Sequence, residues 1–139
     1  MRRFAVLLLA VTFLGCAARP IHPGTANAFD SSVYDSLLVT HSVIESTKTE
    51  LSNNSFSASI TPNVKAALNK LITIYNDTDT LYCNPPAGAG PTDSCAPTSY
   101  HALAVSGQST TTLDAQMRAK ANDMNSAVSA LAAAKGGSK

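Results

Sequence analysis

Three stretches of this chain carry apolar residues at helical spacing. Over 30–52 they recur at Val33, Leu37, Ile44 and Leu51, with Tyr34, Leu38 and His41 flanking the same stripe, a period that fits a helix and not a strand. Ser32 followed by Asp35 has the form of a capping box, and Asn53, Asn54 and Ser55 end the pattern. The second stretch opens at Thr61-Pro62, a threonine cap followed by a proline where the first helical N–H is not needed. Val64, Leu68, Leu71, Ile72 and Tyr75 then make one face. Asp77 and Asp79 would sit at the negative end of that helix's dipole, so the spacing predicts fraying from Asn76 onward. The third stripe is the most regular: Leu113, Met117, Ala121, Met124, Val128 and Leu131, with a capping box at Thr111 and Asp114 and a stop at Lys135-Gly136-Gly137.

Between the second and third stripes lie Cys83, Pro85-Pro86, Gly88, Gly90-Pro91, Cys95 and Pro97, a composition that predicts a protruding loop. Tyr100, Leu103 and Ala104 suggest a short helical turn, broken at Ser106-Gly107. The three longer elements should be roughly 34, 31 and 37 Å long, alike enough to lie side by side. Carrying the last of them back to Thr98 as one rod would leave a long overhang, so a bend is expected near Gly107. The expected fold is all-α: a small up-and-down bundle of three main helices and one short one.

Charge narrows the partners. Without Arg2 and Arg3, eight Lys and Arg face nine Asp and Glu, a formal charge of about −1 with both signs scattered. Such a surface offers no electrostatic footprint for nucleic acid or anionic lipid. Tryptophan is absent and aromatic residues are few, so the core must rest on Leu, Ile, Val and Met. A core of that kind leaves a small domain marginal, and a covalent staple would help.

The N-terminus adds an address. Arg2 and Arg3 precede an apolar run over 4–14 that closes on Gly15-Cys16, the layout of an export signal. The run is about 11 residues, against the roughly 20 needed to cross a hydrocarbon core. Phe13-Leu14-Gly15-Cys16 resembles the lipobox of bacterial lipoprotein precursors, with phenylalanine where that motif usually carries leucine. The resemblance implies that Cys16 is acylated and becomes the mature N-terminus, and that Ala17 after it favours the outer membrane, facing the periplasm. Cleavage after the small triplet Cys16-Ala17-Ala18 is the other processing these residues allow, and it would release a secreted protein. The organisation expected is a signal peptide at 1–15, an acylated cysteine and flexible tether at 16–28, a bundle at 29–135 and a disordered tail at 136–139. In an oxidising, exported compartment Cys83 and Cys95 are expected to form a disulfide, contributing near 3 kcal/mol in the chain-entropy description.

Candidate chemistry is sparse. His41 and Glu45, one helical turn apart, could offer two ligands to a metal, but zinc needs three or four, and His22 and His101 bring no matching partner. No nucleophile elbow, catalytic cysteine context or phosphate-cradling loop occurs, and Gly88-Ala89-Gly90 does not lead from a strand into a helix. Met117 and Met124 suit either a partner groove or a plain core, and the core is preferred. No catalytic residue, metal or cofactor is expected. The functional expectation is a non-enzymatic, lipid-anchored envelope protein with a structural or protein-interaction role. The alternative is a soluble or tethered periplasmic module holding a small apolar ligand between its helices.

Overall fold

The computed structural model describes residues 23–84 and 95–136. It contains α1 (Ala28–Ser52), α2 (Thr61–Tyr82), the short α3 (Tyr100–Val105) and α4 (Thr111–Gly136). The fold is an all-α bundle of three main helices and one short one, with no strand among the described residues. Cross-helix contacts give the directions. The Arg118 guanidinium lies 4.2 Å from the Phe29 ring centre near the starts of α4 and α1, and Lys135 pairs with Glu50 near their ends, so these two helices run parallel. Lys120 reaches Asp77 at 2.9 Å, which sets α2 antiparallel to both. The α2–α4 pair is the most extensive contact and α1 leans more on α2 than on α4.

The core follows a three-four rhythm in α1: Asp30, Val33, Leu37, Thr40, Ile44 and Thr47 are buried and Leu51 is half-buried. In α2 the same rhythm passes through Val64, Leu68, Leu71, half-buried Tyr75, Thr78 and Tyr82. Alternating steps of three and four keep one seam of each helix facing its neighbours. Met117, Met124, Ala127 and Leu131 of α4 close the core; both methionines are fully buried. Each large aliphatic side chain removed from water contributes about 1.5–3 kcal/mol, so these positions supply most of the drive to assemble.

Several local expectations are corrected. Ser32 and Asp35 do not begin α1. The cap is Asn27, whose side chain accepts the Phe29 and Asp30 N–H groups, while the Asp30 carboxylate reaches back to the Ala26 N–H at 2.7 Å. A cap five residues earlier wins because it places Asp30 inside the helix, in the core seam. Thr61 does not cap α2 either: its hydroxyl donates to the Ser57 carbonyl, and Ile60 occupies the cap position without a side-chain bond. At α4 the Asp114 N–H bonds the Thr110 carbonyl and the Ser109 hydroxyl accepts the Thr111 N–H, so Thr111 and Asp114 form no box. Leu38 and His41 are exposed and lie outside the seam that Thr40 occupies.

The largest departure is at the end of α2. The helix does not fray at Asn76; it runs to Tyr82, because Thr78, Tyr82 and Cys83 are all buried and their packing outweighs an unfavourable dipole term. Gly107, at φ +70°, makes the turn that separates α3 from α4.

Asp79 carries the cost of that extension. One of its carboxylate oxygens is buried without a hydrogen-bond partner, and burial raises its pKa above the ordinary range, opposed by the charge of His41. A raised acid favours the protonated fold, so the contribution of Asp79 to stability is greatest at low pH and declines as pH rises through its folded midpoint. Asp79→Asn is therefore expected to stabilise the protein at pH 7, by at most about 1 kcal/mol given its partial exposure. The gain should vanish below the ordinary carboxylate range, which urea denaturation at the two pH values will read.

Candidate functional site

The chemistry of the described residues concentrates at one end of the bundle, where α1 begins, α2 stops and α3 crosses. The Cys83 and Cys95 sulfurs are bonded there, with Cα atoms 4.5 Å apart. The Ala96 N–H donates to the Cys83 carbonyl at 2.9 Å, so the outgoing strand of chain starts beside the end of α2. Ser99 then caps α3 through the Ala102 N–H. This short route sets Tyr100 and His101 on the bundle's end: the Tyr100 ring meets Phe29 edge-on at 5.7 Å, and the His101 ring lies 5.2 Å from Tyr82.

Three polar groups meet beneath α3. His101 Nδ1 is 3.1 Å from both Asp30 oxygens and 3.1 Å from the Tyr82 hydroxyl. Asp30 and Tyr82 are fully buried and His101 nearly so. Burial first, and then the charge of Asp30, push the Tyr82 hydroxyl far above its ordinary pKa, so it stays protonated. The cluster satisfies buried polar groups from three helices at once, which is the condition for tolerating an acid in a core.

Its geometry differs from that of a catalytic relay. A relay places the orienting carboxylate and the nucleophile on opposite imidazole nitrogens, whereas here both meet the same one. The arrangement ties α1, α2 and α3 together.

Spacing along the chain offers His101 no partner; the structure pairs it with Asp30, 71 positions away. A signal is present, since Asp30 lies one step before the α1 stripe and Tyr82 two steps beyond the α2 stripe, and a charged group on a core stripe implies a buried partner.

The His41 and Glu45 pair is not assembled into a site. Glu45 binds Lys48 at 2.7 Å, which lowers its pKa, while the His41 ring lies against Tyr75 with centres 5.9 Å apart. Among the described residues no group of three His, Cys, Asp or Glu is placed to hold a metal ion. His22, Cys16, residues 1–15, where a signal peptide is expected, and the prolines and glycines of 85–91 lie outside the described residues.

Two open grooves flank α4. One, of about 230 Å³, runs between α1 and α4 past Ser32, Ser36, Arg118, Asn122 and Asn125, with Phe29 at its end. The other, of about 330 Å³, is bounded by Lys70, Ile74, Asp123 and Ala130. No helix among the described residues is long and apolar enough to cross a membrane. Comparison of the chain with protein-family models, with curated proteins and with solved structures finds no match.

Proposed function

We propose that this protein is a non-enzymatic lipoprotein of the bacterial envelope, a helical bundle held at the periplasmic face of the outer membrane by an acylated Cys16 and serving a structural or protein-interaction role. The observation that carries the reading is the apolar run of 4–14 ending in Gly15-Cys16. Acylation with two or more chains holds a protein stably at a bilayer without a spanning helix. The bonded Cys83 and Cys95 support it, since such bonds persist in the oxidising compartments that an export signal leads to.

The internal chemistry supports a non-enzymatic role. Asp30, His101 and Tyr82 are buried and meet one another at a single imidazole nitrogen, an arrangement that suits a structural tie. The α1–α4 groove is lined with hydroxyls, amides and a guanidinium, which suits a polar surface partner better than a small apolar ligand.

Intact mass of the protein purified from membranes is expected to exceed that of the polypeptide starting at Cys16 by the mass of its acyl groups, and Cys16→Ala is expected to move the protein to the soluble fraction. Recovery of an unmodified chain that starts beyond Cys16 would overturn the proposal.

A further inference from the structure

We propose that the α3 end of the bundle is the face that lies against the lipid bilayer, with Val105 and its neighbours in α3 touching the membrane interface. The inference rests on the acylation of Cys16 proposed above and adds the orientation and the contact surface.

The path of the chain selects this end. Cys16 precedes Pro23, the first described residue, by seven positions, a span of at most about 25 Å. From Pro23 the chain enters α1, whose first turn is bound to α3: Phe29 packs on Tyr100 and Asp30 binds His101. The opposite end, where α1 turns into α2, lies a further 25-residue helix away, about 37 Å. An anchored Cys16 therefore holds the α3 end close to the bilayer.

Surface chemistry selects the end over the sides. No Asp, Glu, Lys or Arg occurs from Cys95 to Leu113, and Asp114 is the first charged residue after them. Val105 is 55% exposed, and Ala102, Leu103 and Ala104 beside it are half-buried. Of the ionisable groups at this end, Asp30 and His101 are paired and buried and Asp114 is half-buried, while Arg118, over the Phe29 ring, is exposed at its edge. The flanks expose Leu38 and Val39 of α1, but they also carry exposed Glu45, Lys48, Lys65, Lys70, Asp77 and Asp123, whose desolvation opposes contact with lipid. At the far turn Asn53, Asn54, Ser55, Ser57 and Ser59 are exposed and hydrophilic.

One exposed valine and a few half-buried neighbours bind a membrane weakly. Tethering makes the contact intramolecular, and a high local concentration lets a weak surface be occupied without new contacts. Docking is thus expected of the anchored chain and not of the Cys16→Ala protein in solution.

The chain contains no tryptophan, so a single introduced indole reports its surroundings cleanly. Acylated Val105→Trp and Ala58→Trp proteins, purified from membranes, would be reconstituted on phosphatidylcholine vesicles with and without brominated acyl chains. The expected result is a blue shift and loss of emission on brominated vesicles for Val105→Trp, with Ala58→Trp unchanged. Quenching of both, of Ala58→Trp alone, or of neither in protein that floats with the vesicles overturns the docking and leaves the anchor intact. Protein that does not float overturns the anchor and the docking with it.

Discussion

Asp30→Ala is expected to lower the stability of this protein by about 3 kcal/mol, the upper part of the range for leaving buried hydrogen-bonding partners unsatisfied. Asp30 is fully buried, and its oxygens meet His101 Nδ1 and the Ala26 N–H. Alanine would strand the imidazole and the Tyr82 hydroxyl beneath α3 and leave the first turn of α1 without its return bond. Against a total stability of about 5–15 kcal/mol for a domain of this size, that is a large fraction. Denaturant unfolding will measure it. The triple variant Asp30→Leu/Tyr82→Phe/His101→Leu should recover much of the loss, because the cost lies in the unpaired partners and apolar side chains carry no such penalty. A loss below about 1 kcal/mol for Asp30→Ala, as for an exposed ion pair, would show that the cluster is not the tie described above.

Reduction of the Cys83–Cys95 bond, or Cys83→Ala with Cys95→Ala, should cost near 3 kcal/mol from the freed entropy of the unfolded loop. The bond spans 12 positions and holds the chain that leads into α3 against the end of α2. The two effects are coupled through α3, which needs the covalent pin at one side and His101 at the other. In the Asp30→Ala background, where α3 has already lost its polar tie, reduction is expected to cost less than in the parent chain. Unfolding curves for both proteins, with and without reductant, complete the cycle; equal costs in the two backgrounds would mean that α3 does not link them.

Much of the bundle was legible from spacing because apolar side chains spaced one turn apart must share a face whatever they pack against. Val33, Leu37 and Ile44, Val64, Leu68 and Leu71, and Met117, Met124 and Leu131 all lie in the core for that reason. The reading lost accuracy where the seam used polar residues. Thr40, Thr47 and Thr78 are buried, with Thr47 and Thr78 donating their hydroxyls to the carbonyl one turn back, and a stripe counted in apolar residues passes over all three. Helix starts were misplaced where several side chains could cap and only the packed position of the helix chose among them, as at Asn27 over Ser32.

Local spacing is enough to establish the helical class, the three-stripe layout and the break at Gly107, and to offer the candidate lipid address at Cys16, since each depends on neighbours within a few positions. Long-range packing is needed to bring Asp30, Tyr82 and His101 into one buried site, to hold α2 together to Tyr82, and to set which exposed apolar residues lie beside the start of α1. Those outcomes depend on burial and on hydrogen bonds between groups far apart along the backbone, and local spacing carries no information about which distant partner a polar group will find.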